Sequence, residues 1–110
     1  MRTTVGLVRG DKNNDIFFTL QDFNSNPRNL NTVQSIYFKA QKAGEQGLKF
    51  TGDMDIVDSL AGEVKYRVQE TDFDEVGNYY AEIEINFEDG QVITHNDIIV
   101  KVKSDLPMSV

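Results

Sequence analysis

The chain has no cysteine and no tryptophan, one histidine and two prolines among its 110 residues. Without cysteine there can be neither a disulfide nor a zinc–thiolate site, and the redox compartment stays open. Without tryptophan, the commonest aromatic platform for a sugar ring is missing. With one histidine, His95, any Ser-His-Asp arrangement would depend on that residue, and no serine stands in a Gly-x-Ser-x-Gly setting. No apolar run approaches the length of a membrane span, and Met1-Arg2-Thr3-Thr4 does not lead into a signal-peptide core. Basic residues are also short, 11 against 18 acidic ones. The net charge of -7 repels nucleic-acid phosphates and anionic membrane surfaces alike. Neither nucleic acid nor membrane is an expected partner.

What is present points to strands. From Tyr79 to Phe87 the odd positions read Tyr, Ala, Ile, Ile, Phe, and the even ones Tyr, Glu, Glu, Asn. A period of two with one apolar face describes a strand lying over a core. Asp89-Gly90 follows, a dipeptide suited to the positive φ angles of a two-residue type I′ hairpin turn. Beyond it, Val92, Thr94, Ile98, Val100 and Val102 share a parity. A turn at Asp89 and Gly90 sets Phe87 against Val92, Ile85 against Thr94, Glu84 against His95 and Tyr80 against Ile99. Glu82 then meets Asp97, an unfavourable like-charge pair that a bulge near Asn96 or an intervening cation would relieve, the bulge being favoured.

Other strands are read at Thr3 to Arg9, Asp15 to Gln21 and Val64 to Val68, and Val33 to Lys42, where helical and strand spacing compete, is read as a strand on its Ile-Tyr-Phe run. Another runs from Leu48 to Ile56, interrupted near Thr51-Gly52-Asp53 by a bulge or a turn. Asp22 to Asn31 is a loop by composition. Thr71 to Gly77 is a crossing connection that Phe73 and Val76 could pin to the core. About seven short strands with regular turn signals predict an all-β, immunoglobulin-like antiparallel β-sandwich without a disulfide. Its domain is expected over residues 1–104, with 105–110 as a tail or the start of a linker. The Glu75-x-Gly77-x-Tyr79-x-Ala81 spacing adds a corner tyrosine. Tyr79 should tie its hydroxyl to backbone in the preceding connection, and Ala81 stands where the disulfide cysteine of antibody domains would be.

Several stretches resemble one phage family. They are Asp15-Ile-Phe-Phe-Thr-Leu-Gln-Asp with its polar loop, Ile36-Tyr-Phe-Lys-Ala, Gly62-Glu-Val-Lys-Tyr-Arg-Val and Gly77-Asn-Tyr-Tyr-Ala-Glu-Ile-Glu-Ile-Asn-Phe-Glu-Asp-Gly. The family is the N-terminal immunoglobulin-like domain of the baseplate upper protein of phages infecting Gram-positive bacteria. The likeness spans nearly the whole chain and rests on strand patterns and turns. It implies a structural module of the virion's distal tail, made in the host cytoplasm, with no catalytic residues and no cofactor. Its implied partners are other baseplate or tail proteins that fix a host-adhesion assembly, with self-association an open option. The family's helical linker and distal part have no counterpart in this sequence.

The rival reading is a carbohydrate- or cell-surface-binding sandwich; an enzyme has almost no support. The runs Asp53/Asp55/Asp58 and Asp72/Asp74/Glu75 do not match the spacing of a calcium loop, so no metal is expected. The surface of choice is the outer parity of the final hairpin. There Tyr80 and Ile99, joined by Tyr37 from the neighbouring strand, would form an apolar centre rimmed by Glu82, Glu84 and Lys39.

Overall fold

The computed structural model describes residues 3–104. Its strands are β1 (Thr3–Val8), β2 (Asp15–Thr19), β3 (Val33–Lys42), β4 (Phe50–Asp53), β5 (Asp55–Asp58), β6 (Glu63–Arg67), β7 (Gly77–Phe87) and β8 (Val92–Lys103). They form a five-stranded sheet in the order β1-β8-β7-β3-β4 and a three-stranded sheet in the order β2-β6-β5. All ladders are antiparallel except β1 on β8, where Val5 lies beside Val100 and Leu7 beside Val102. The chain is an all-β sandwich of the expected kind; the tail expected at 105–110 lies outside the described residues.

Alternation builds the core. Ile36, Phe38 and Ala40 of β3 and Tyr79, Ala81, Ile83, Ile85 and Phe87 of β7 turn inward. They meet Ile16 and Phe18 of β2 and Val64 and Tyr66 of β6. At the centre Phe38 stacks on Tyr66 with ring centroids 4.9 Å apart. Phe50 and Tyr79 each meet Phe73 edge-on, at 5.2 and 5.0 Å. Tyr66 needs a polar partner inside this cluster, and its hydroxyl donates to Asp72 Oδ2 at 2.5 Å. Burial and that bond both raise the Tyr66 pKa. Gly52 of β4 lies under the same ring, so a Cβ there would sit 2.5 Å from Tyr66 Cε1.

The interruption near Gly52 is neither a bulge nor a hairpin. The chain leaves the larger sheet after Asp53 and enters the smaller one at Asp55, with buried Met54 as the crossing point. One sequence-read strand therefore becomes two. In the 71–77 connection Phe73 is buried, but Val76 is half exposed and does not pin the segment. Lys49 does, pairing with Asp74 at 3.1 Å and donating to the Thr71 carbonyl at 2.9 Å.

The β7–β8 hairpin departs from the two-residue turn. Phe87 N donates to Gln91 O and Gly90 N to Phe87 O. The loop is thus Glu88-Asp89-Gly90, with Gly90 at φ 92°. This is a type I turn closed by a left-handed glycine, the usual three-residue hairpin. Asn86 therefore faces Val92, Ile85 faces Ile93, Glu84 faces Thr94 and Ile83 faces His95. Val92 and Thr94 consequently point outward, and His95 does not pair with Glu84. Between Ala81 and Ile83 the register shifts: Asn96 and Asp97 together oppose Glu82, and Asp97 takes φ 68°. Beyond this bulge the register is the one read from sequence, with Ala81 on Ile98, Tyr80 on Ile99 and Tyr79 on Val100.

Candidate functional site

The outer face of the larger sheet carries the first candidate. Tyr80 stands directly opposite Ile99, and Gln41 of β3 lies across from Tyr80 on its other side. Tyr80 is 55% exposed although its strand is paired on both sides. Leu48, in the loop before β4 and also 55% exposed, joins it. Together with Lys39, Glu82, Asn96 and Ile99 they line a shallow hollow of about 260 Å³. The bulge shapes one wall, because the extra residue of β8 lifts Asn96 and Asp97 out of the ladder.

Tyr37 does not join this group. It faces Glu84, four positions along β7 from Tyr80, which is about 13 Å at a strand's rise. The Lys39–Glu84 pair, at 2.9 Å, lies between them. The hydrogen bond from Lys39 holds the Glu84 carboxyl below its ordinary range, with Asn86 adding to the effect. The same bond raises the Lys39 ammonium, and Glu82 contributes. The rim is thus ordered by charge pairs, while the apolar centre is Tyr80, Ile99 and Leu48. Sequence reading missed Leu48 because its alternation with Phe50 made it look like an inward strand residue.

On the inner side of the same strand, Tyr79 is wholly buried and its hydroxyl donates to the Glu75 carbonyl at 2.9 Å. Burial raises its pKa. Gly77, at φ 139°, opens β7 in a conformation that side chains rarely adopt. Asp89 stays in the hairpin loop, its carboxylate accepting from Gln91 N at 2.9 Å.

His95 is the residue whose place the sequence misjudged most. One step of register moves it from the outer face to a half-buried position where Nε2 accepts from Arg28 Nε at 3.1 Å. Burial, then the Arg28 charge, lowers its pKa. Among the described residues, no serine or acid hydrogen-bonds to its ring. Among the described residues, no group of three or more acidic or histidine side chains could hold a metal ion. No helix in them is long and apolar enough to cross a membrane.

Comparison with solved structures supports the sandwich. CopC from Methylosinus trichosporium OB3b superposes with a TM-score of 0.58 at 11% identity, covering 96% of this chain and 89% of that one. Murine CRIg gives a TM-score of 0.44 at 12% identity, covering 94% and 92%. At such identity the first likeness speaks for the fold alone. No curated protein sequence matches. The sequence does match a family of phage baseplate domains, over residues 2–109. With strand order, corner tyrosine and cysteine-free core already in view, that match assigns the chain: it belongs to the BppU N-terminal domain family, the N-terminal domain of the phage baseplate upper protein.

Proposed function

We propose that this chain is a non-enzymatic assembly module of a phage baseplate, acting through the outer face of its five-stranded sheet. Family membership, which implies a structural baseplate protein, is the observation that carries the reading. The Tyr80–Ile99–Leu48 cluster supports the choice of surface. Large apolar groups ringed by ordered charges make an interface core with a polar rim. The family's character also favours a role without catalysis. The bound component is another protein of the baseplate or tail, and the module is part of the virion rather than of the infected cell's machinery.

The test is incorporation. A particle assembled with Tyr80→Ser and Ile99→Ser in place should lose this protein from its baseplate, while the isolated double variant keeps the wild-type fold by circular dichroism. Normal incorporation of a folded double variant would refute this surface.

A further inference from the structure

A second surface lies where the smaller sheet's edge meets β8. Two adjoining hollows of about 400 and 450 Å³ share Gln21, Asp22 and His95. The loop after β2 forms one wall and is held tightly. Asp22 N donates to Asn26 O, and the Asp22 carboxylate accepts from Asn24 N at 2.9 Å and Asn26 N at 3.0 Å. This closed loop thrusts Phe23 completely into solvent. Val92, 55% exposed, faces it across the cleft because the three-residue turn put Val92 outward.

Arg28 stands in this cleft under unusual conditions. The chain has more acids than bases, and Lys12, Lys39, Lys42, Lys49, Lys65 and Arg67 each have a carboxylate at ion-pair distance. Arg28 has none among the described residues. The other described cations without one, Arg9, Lys101 and Lys103, are exposed, whereas Arg28 is partly buried. Its Nε is committed to His95 Nε2, which fixes the plane of the guanidinium. That bond requires a neutral imidazole protonated on Nδ1, because a charged ring has no acceptor. The two terminal NH₂ groups remain, in the fork geometry that a carboxylate takes up in two parallel bonds.

We propose that this cleft docks a segment of another virion protein in which an acidic side chain is flanked by apolar ones. The carboxylate pairs with the terminal nitrogens of Arg28 and the apolar neighbours rest on Phe23 and Val92. Charge sets the occupant: a partly buried guanidinium without a counter-ion in an acidic chain calls for an external carboxylate, and an Arg beside an exposed aromatic ring is the composition of a binding hot spot. Among the described residues that line the two hollows, the charged groups beside His95 are Arg28 and Asp22. The Asp22 carboxylate is engaged by its own loop.

Because His95 is the only histidine, its imidazole resonances report on the site alone. Titration with acetyl-Leu-Asp-Leu-amide should move them saturably and raise the His95 pKa, since a bound carboxylate offsets the Arg28 charge. The Asn counterpart should bind at least about tenfold more weakly, the usual loss when a charged hydrogen-bond partner is removed. Arg28→Gln should abolish the response, and Phe23→Ser, at a solvent-exposed site that cannot unfold the protein, should weaken it. Tyr80→Ser should leave it intact, which separates this cleft from the sheet face. Equal response to both peptides, or an undiminished response in Arg28→Gln, would overturn the proposal. So would a His95 shift that depends on protein concentration alone, which would give the cleft to a second copy of this chain.

Discussion

Tyr79 and Tyr80 are adjacent in the chain and sit on opposite faces of the same strand. Tyr79 is wholly buried, edge-on to Phe73, with its hydroxyl spent on the Glu75 carbonyl. Tyr80 is more than half exposed and stands opposite Ile99 across the ladder. Both residues satisfy the same β preference, so residue type says nothing about which does what. Parity decides. The inner face of the five-stranded sheet holds the fold together, and its outer face is free for an interaction that the fold does not need. If so, substitutions on the two faces should separate cleanly into losses of stability and losses of assembly.

The largest effect belongs at the centre of the inner face. Phe38 is fully buried and meets Phe18, Phe50 and Tyr66. Phe38→Ala should destabilise by about 3–5 kcal/mol, through lost burial and the cavity left behind. Denaturant unfolding measures this, and a cost under about 1 kcal/mol would mean that the two sheets are not packed on this ring. A smaller effect is expected from Tyr79→Phe, which deletes one hydroxyl and keeps the ring against Phe73. The loss should be about 1 kcal/mol, the net worth of one buried hydrogen bond. An unchanged midpoint would show that the Glu75 carbonyl finds another donor and that the corner is held by ring packing alone.

The inner face of β7 was legible because alternation is a local signal. Its partner β8 was legible only in part. Ile98, Val100 and Val102 point where parity put them, but Val92 and Thr94 do not. Asp-Gly fits either a two-residue turn or a three-residue loop ending in a left-handed glycine, and the difference is one register step. The two-residue register carries a visible conflict, Glu82 opposite Asp97; the three-residue loop shifts the pairing by one step, and the bulge at Asn96 and Asp97, which together oppose Glu82, restores it beyond that point. That is why Tyr80 still meets Ile99 although Glu84 does not meet His95. Non-local features left no trace in the sequence. The passage between sheets at Met54 depends on which sheet has room for the next strand. The Arg28–His95 bond joins residues 67 positions apart. Parity gives the face of a strand and not the distance along it, so Tyr37 shares the outer face with Tyr80 without reaching it.

The smallest predicted change in stability is the one that sharpens the contrast most. Tyr80→Ser removes a half-exposed ring whose only close ladder partners are Gln41 and Ile99. It leaves no cavity and no orphaned buried group, so the stability change should stay within about 0.5 kcal/mol, as for surface substitutions generally. Serine has lower β preference than tyrosine, which fixes the sign as slightly unfavourable. Measured beside Tyr79→Phe under the same denaturant conditions, the neighbouring substitution should therefore cost less although it removes far more of the side chain. A loss of 2 kcal/mol or more would mean that the ring is part of the monomer's own packing, with Leu48 and Ile99 closing over it. In that case the outer face would be a second small core, and loss of Tyr80→Ser protein from particles would reflect unfolding rather than a missing contact.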